Sequence, residues 1–318
     1  MSNYAVKWLS NGLVKIDKSR IPHVIVRAMT RVTRKTSSKF LLQAYWSGAA
    51  LSFLELLCIR SWVRVGATVH LFTHDDVTAM ESQIPTSIRR QVKVIDADKV
   101  LDRTKKFNFT GGPKTKRADA FTALPFSDLF RYELLRQRGG IWMDLDIVLI
   151  RRIPAALLRQ PYFFVSERTM QAGAYKSKEP SKPTNACIGV REPHSDWAEA
   201  ICETSEKATV DSAWTFMKVF QASLTPNLHR YIQPPEFIMP VNWWDLDGIF
   251  TEGADLNPTG CMKSKYGVPQ TCASLLKNPK TVGIHLFRGL LRKRDLPYED
   301  PSKIPPTSFL GQLVALVG

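Results

Sequence analysis

The chain is short of acidic residues. Against 44 Lys and Arg stand only 29 Asp and Glu, a formal net charge of +15. That imbalance favours anionic partners such as phosphates, anionic lipid or nucleic acid. Cysteine is sparse as well. Cys58, Cys187, Cys202, Cys261 and Cys272 form no CxxC pair and no zinc spacing, which excludes a zinc module. An odd, scattered count predicts a reducing compartment and buried thiols. Repeats and low-complexity tracts are lacking. The first residues lack the compact apolar core and small-residue cleavage site of a secretory leader. One apolar window, 40–59, is about long enough to span a bilayer, but it contains Gln43, Ser47, Gly48, Ser52 and Glu55. Ser52 followed three residues later by Glu55 is a capping box, so the window reads as strand, turn and helix. No helix-turn-helix, RNA-recognition or finger pattern accompanies the charge, which argues against a basic nucleic-acid-binding protein and predicts no nucleic-acid partner.

What is there is an alternation of strands and helices. Residues 1–39 carry nine Lys/Arg and one acid, Asp17, and read as a basic, partly ordered extension. A first strand is predicted over 40–46, a helix over 52–65 stopped by Gly66, and strands over 68–73 and 91–95. A helix follows at 127–138, with Asp128 at or near its N-cap and Gly139 just past its end. Further strands are predicted at 162–166, 186–190, 237–241 and 281–287, with helices at 196–207, 213–222 and 308–317. This order predicts an α/β protein with a central, mostly parallel mixed sheet flanked by helices, which binds its ligand at the carboxyl ends of the strands. Trp46, Asp75, Asp76 and Asp146 all fall at such ends. The basic loop 103–117 reads as a solvated surface segment near an anionic ligand. Residues 40–296 are predicted as the main domain, and 297–318 as a Pro-rich segment with a short docking helix.

The most informative stretch is 126–150, a helix, a Gly-Gly break and an apolar strand carrying Asp144 and Asp146. Residues i and i+2 of a strand face one side, so both carboxylates are predicted to point the same way. Like charges held together repel, and a divalent cation with a preference for hard oxygen ligands relieves that repulsion. Asp128 and Arg131, three apart, share a helix face at the entrance to this strand and could grip sugar hydroxyls. His285 closes a late strand beside Arg288, Arg292, Lys293 and Arg294, which predicts a corner for phosphate and metal.

The sequence SDLFRYELLRQRGGIWMDLD (127–146) resembles the DXD region of GT-A glycosyltransferases, above all the mannosyl- and α-1,4-galactosyltransferase-like group, whose core pattern large glucosylating toxins share. Tyr45-Trp46-Ser47-Gly48, Leu51-Ser52 with Glu55, and 58–62 resemble that group's first strand and helix. Residues 70–76, 237–243 and His285-Leu286-Phe287 resemble its other landmarks, so the likeness spans about 40–296. It departs at Phe287, where the group usually has Trp, and near Trp214, where a Gly-Pro step is missing. The resemblance implies a GT-A-type nucleotide-sugar-binding fold and a hexosyltransferase. Asp146 would bind Mn²⁺ or Mg²⁺, supported by Asp144 and His285. Trp46 would stack on the base, and Asp128 and Arg131 would hold the donor sugar. Trp142 would lie under nucleotide or sugar, Asn185 would approach the anomeric centre, and Arg288 would sit by the diphosphate. Asp245, Asp247 and Glu252 are read as residues for the acceptor side.

The implied donor is a nucleotide sugar, UDP-hexose before others, transferred with retention to a glycan or glycolipid such as a cell-surface polysaccharide or lipid-linked oligosaccharide. The expected setting is cytoplasmic, with peripheral contact between the basic surface and the anionic inner membrane face. A secreted, effector-type protein glycosyltransferase is the runner-up. A haloacid-dehalogenase-like phosphatase, with Asp144 as nucleophile and Asp146 as acid/base, is the other enzyme alternative.

Overall fold

A computed structural model describes residues 40–105, 124–168, 181–212, 214–250 and 276–318, and the backbone alone of 4–9, 12–17, 108–109, 118–123, 170–171 and 174–175. Within the basic extension, Tyr4–Leu9 and Gly12–Asp17 pair as antiparallel strands, and its other residues lie outside the described ones. The body is a six-stranded sheet built from β1 (Phe40–Trp46), β2 (Ala67–Thr73), β3 (Val92–Asp96), β4 (Gly140–Met143), β6 (Tyr162–Glu167) and β7 (Lys182–Val190). A separate strand, β5 (Ile147–Leu149), pairs antiparallel with β8 (Gly283–His285). The strand order of the large sheet is β3-β2-β1-β4-β7-β6. β1, β2, β3 and β4 run parallel, β7 runs against β4, and β6 runs against β7. Five of the six strands therefore point one way, as the alternation of elements predicted. Trp46 and Glu167 end their strands, and Asp144 follows β4, on the same edge, where antiparallel β7 begins.

Period-two burial divides the sheet between two cores. Leu42, Ala44, Ile141 and Met143 face one core together with Leu54, Cys58 and Trp62 of helix α1 (Phe53–Arg64). Trp142, Phe164 and Ile188 face the other, filled by α2 (Ala118–Arg138), α3 (Asp196–Lys207) and α4 (Thr215–Ser223). Helices thus cover both faces, the usual arrangement around a parallel sheet. The capping box of α1 is present as read: the Ser52 amide donates to Glu55 Oε2 at 2.7 Å, and the Ser52 hydroxyl accepts from Leu54. Trp62 then locks α1 onto β5 by donating from Nε1 to Ile147 O at 2.7 Å. Among the described residues no helix is long and apolar enough to cross a membrane. Residues 297–318 join the first core through Tyr298, Ile304, Phe309, Leu310 and Leu313. The closing helix, Phe309–Val317, is capped by Ser308.

Three expectations need correction. Helix α2 begins at Ala118 and runs through Pro125, so Asp128 lies in its interior and is no N-cap. Residues 237–241 form no strand; a single 3₁₀ turn ends at Phe237, and the following backbone accepts bonds from Val282 and His285. The third is the placement of Asp144 and Asp146 on one strand, since β4 ends at Met143 and β5 begins at Ile147. Cys58, Cys187 and Cys202 are buried free thiols, and burial pushes each well up in pKa. Cys261, Cys272, Glu252 and most of the basic loop 103–117 lie outside the described residues.

The Gly-Gly break has a steric cause. Gly139 sits at φ +59°, and a Cβ there would meet the backbone of 190–193, 3.0 Å from Val190 O, 3.1 Å from Arg191 O and 3.2 Å from Pro193 N. Backbone cannot swing aside as a side chain does. Gly139→Ala is expected to lower stability by about 1–3 kcal/mol, read from a urea unfolding midpoint.

Candidate active site

The site grows out of the end of β4. The Trp142 side chain faces α2, and by strand parity so does Asp144, whose amide still pairs with Ala186 O at 2.8 Å. After Asp144 the chain turns, with Ile147 N donating to Asp144 O at 3.2 Å, and re-enters as β5 on a different partner. Asp144 therefore opens a turn and Asp146 lies within it, and the two do not stand side by side on one strand. Asp144 leans toward α2. Asp146 leans toward β8 and the helix after it, α5 (Arg288–Lys293). The predicted proximity survives by a different route: ligand atoms of Asp144, Asp146 and His285 all lie within 4.8 Å of one another.

Behind Asp144 stands a buried polar network. Trp142 Nε1 donates to Asp144 Oδ1 at 2.8 Å. Arg131, 6% exposed, pairs with Asp128 at 3.0 Å and with Asp144 at 3.3 Å, and donates from Nη1 to the Asn185 carbonyl at 2.7 Å. Its guanidinium carbon lies 4.8 Å from the centre of the Trp142 ring. Asn185 Nδ2 donates to Asp128 Oδ1 at 2.9 Å and to Tyr132 Oη at 3.0 Å. Three of the residues expected at the donor sugar, Asp128, Arg131 and Asn185, thus bind one another. Trp142, 1% exposed, lies beneath the site and acts on it through Arg131 and Asp144.

Electrostatics separates the carboxylates. Burial pushes Asp128 up to about 6, only partly offset by Arg131. Burial also raises Asp144, with Arg131 pulling it down and Asp146 pushing it up. Asp146 would be raised by burial too, but His285 and the Arg288 amide, which donates to Oδ2 at 2.8 Å, hold it below the usual carboxylate value. His285 moves the other way: burial disfavours its charge, and the neighbouring carboxylates overcome that and raise it.

The residues present suit a hard divalent cation. Asp146 Oδ1 is buried and has no hydrogen-bond donor; His285 Nε2 lies 3.0 Å away without the alignment of a hydrogen bond. His285 Nδ1 is buried and unpartnered as well. Two carboxylates and an imidazole, with one carboxylate oxygen and one ring nitrogen unsatisfied, form a donor set for Mn²⁺ or Mg²⁺.

Trp46 ends β1 half-buried, its indole donating to Ala50 O at 3.1 Å. The Arg288 guanidinium lies 4.9 Å from the centre of that ring. Of the other strand-end acids, Asp75 accepts from the Gly48 amide at 2.8 Å, and Asp76 caps the helix Val77–Gln83. Asp245 is buried and accepts from Asn242 at 2.9 Å, while Asp247 pairs with Arg294 at 3.0 Å. Neither joins the Asp144–Asp146–His285 group.

The sequence pattern singles out neither Tyr132 nor Glu167, and shows only the capping role of Glu55. Tyr132 is the i+4 partner of Asp128 on α2, a spacing that could have been read. Glu167 ends β6 on the ligand edge; burial raises its pKa while His285 and Lys182 lower it. Glu55 was read as a cap alone, yet its other oxygen lies 2.7 Å from Arg288 Nε.

Residues 114–192, a minority of the chain, match the model of a family described as capsular polysaccharide synthesis protein. That segment holds Asp128, Arg131, Trp142, Asp144, Asp146 and Asn185. No curated protein matches the chain. Among solved structures the chain is similar to the PaToxG glycosyltransferase, 15% identical over 58% of this chain and 68% of that one, with a TM-score of 0.35. It is similar to the apo form of the glycosyltransferase GlyE of Streptococcus pneumoniae TIGR4, 11% identical over 63% of this chain with a TM-score of 0.38; the match spans 46% of GlyE. It is also similar to an active-site mutant of LgtC, 8% identical over 62% of this chain and 74% of that one, with a TM-score of 0.35.

Proposed function

We propose that the protein is a metal-dependent glycosyltransferase that moves a hexose from a nucleotide-diphosphate sugar, UDP-hexose before GDP-hexose, to a glycan acceptor. The acceptor class favoured is a cell-surface polysaccharide or lipid-linked oligosaccharide, in keeping with the family model matched by 114–192. The observation that carries this reading is the convergence of Asp144, Asp146 and His285 on the ligand edge of the sheet, inside a motif that resembles the DXD region. Retention at the anomeric carbon, the cytoplasmic setting and peripheral contact with an anionic membrane rest on the resemblance and on the net charge of +15. The phosphatase alternative fits the geometry less well. Asp144, its nucleophile, is engaged by Trp142 and Arg131, and Asp245 and Asp247 are turned to other partners.

The residues divide the work. Asp146, Asp144 and His285 would hold Mn²⁺ or Mg²⁺, which when bound supplies Lewis-acid stabilisation of the departing diphosphate. Arg131 holds Asp144 in place for that role and keeps Asp128 beside it. Arg288 presents its amide to Asp146 and its guanidinium to Trp46, so that base and diphosphate sites share one residue. Glycosyl transfer passes through an oxocarbenium-like state, and the carboxylates at this edge favour the developing positive charge.

Metal binding supplies a test with a definite sign. His285 must be neutral to ligate, and its pKa is raised. Protons therefore compete with the metal below that pKa, and Mn²⁺ affinity should climb by up to about tenfold per pH unit, then level off above it. The raised pKa of Asp144 acts in the same direction. Calorimetry of Mn²⁺ in the presence of UDP across about pH 5.5–8 reads this directly; a flat profile, or no binding at any pH, contradicts the site. For the acceptor, labelled transfer from donor into a membrane extract is expected, and transfer into host-cell lysate protein instead would favour the effector reading.

A further inference from the structure

Glu55 is 0% exposed, an unusual position for a residue whose visible task is to cap a helix. Capping occupies only one oxygen, Oε2, on the Ser52 amide. The other, Oε1, lies 2.7 Å from Arg288 Nε, an ion contact without the alignment of a hydrogen bond, and burying a carboxylate this deeply is tolerable only with such a partner. Arg288 is held from several directions. Its amide donates to Asp146 Oδ2, its guanidinium carbon lies 4.9 Å from the Trp46 ring centre and 6.0 Å from that of Tyr298, and Nη2 lies 3.7 Å from Glu299. The residue before it, Phe287, adopts a left-handed φ of +49°, strained for a non-glycine residue, and its ring centroid lies 4.0 Å from that of His285. A strained backbone that delivers one amide to a buried carboxylate, with an ion pair locking the side chain that follows, is the construction of a positioned group.

We propose that Glu55 is a positioning residue for the donor: by fixing the Arg288 guanidinium beside Trp46, while the Arg288 amide stays on Asp146, it aims the exposed edge of Arg288 at the nucleoside diphosphate. This rests on the glycosyltransferase reading. Glu55 itself touches neither substrate nor metal ligands. Its effect is carried by Arg288, whose side chain remains 26% exposed.

The test uses the full chain, with UDP and Mn²⁺ as probes. Glu55→Gln keeps an acceptor for the Ser52 amide and removes the charge. It should weaken UDP binding in Mn²⁺ about tenfold, the loss of one charge-assisted contact, while Mn²⁺ alone binds as in the wild type. Arg288→Gln should lose as much, and the double variant no more than either single one. Ser52→Ala removes the hydroxyl half of the capping box and keeps the Ser52 amide on Glu55; it should lower the melting temperature and leave UDP affinity unchanged. Wild-type UDP affinity in Glu55→Gln, or an equal loss in Ser52→Ala, overturns the proposal. Should Glu55→Gln fail to fold, Arg288→Gln decides alone, because wild-type UDP affinity there leaves Glu55 nothing to position. If the wild type itself binds no UDP, the glycosyltransferase reading falls and this proposal falls with it; if it binds UDP and Glu55→Gln binds equally, only this proposal falls.

Discussion

Asp146→Ala is expected to abolish donor turnover, with a fall of roughly a thousandfold or more, and to remove any stimulation by Mn²⁺. The size follows from the position of the side chain. One oxygen accepts from the Arg288 amide, and the other is a buried acceptor left open beside His285. Alanine takes away one of three grouped ligands, leaves the Arg288 amide without its acceptor, and strips His285 of the nearest charge that raises its pKa. The folding cost should be far smaller, about 1–3 kcal/mol for the orphaned donor. Asp146→Asn separates the two effects, because it restores an acceptor for Arg288 but not the charge. It should regain most of the stability and none of the activity. Turnover of a sugar nucleotide at the wild-type rate by either variant removes Asp146 from the site.

Arg131→Ala should show its largest effect on folding. The resemblance places Arg131 at the donor sugar, whereas the structure buries it between Asp128 and Asp144. Removing the only cation paired with these two carboxylates among the described residues leaves buried negative charge uncompensated, a loss of about 3–5 kcal/mol. Arg131→Lys should rescue poorly, because one ammonium cannot span two carboxylates and the Asn185 carbonyl as a planar guanidinium does. The loss should depend on pH, with a sign fixed by Asp128. Burial already raises Asp128 to about 6, and loss of Arg131 raises it further. A carboxyl whose folded pKa exceeds its unfolded value favours the folded state below the unfolded pKa, and that contribution is lost as pH rises through the folded pKa. The variant should therefore lie closest to wild-type stability near pH 5 and fall furthest behind above pH 7. Thermal melts over that range check it, and a deficit independent of pH would refute the role of the buried pair.

Much of the fold could be read from local pattern. The strand at 40–46, the capping box at Ser52 and Glu55, and the helix Asp196–Lys207 carry their own signals of alternation, caps and period. The turn at Leu145 could not be read that way. Met143 to Ile147 alternates like a strand, and the break arises because Asp144 still pairs with β7 while Ile147 pairs with β8, far along the sequence. Asp128 looked like a cap because Ser127 and Asp128 are good cap residues following Pro125, yet the helix continues through that proline from Ala118. The metal-type group was legible as residues, since Asp144, Asp146 and His285 were all singled out. The buried links Arg131–Asn185 and Glu55–Arg288 were not, because each joins distant segments and only the assembled sheet brings them together.

The central claim is that a divalent cation held by Asp144, Asp146 and His285 assists departure of a nucleoside diphosphate. Its most direct test is a hydrolysis screen of UDP-glucose, UDP-galactose, UDP-N-acetylglucosamine and GDP-mannose with Mn²⁺ and no acceptor. Slow release of UDP from at least one donor, abolished by chelator and restored by added metal, is the predicted result. No release from any donor, together with no binding of UDP in the presence of Mn²⁺, would contradict it.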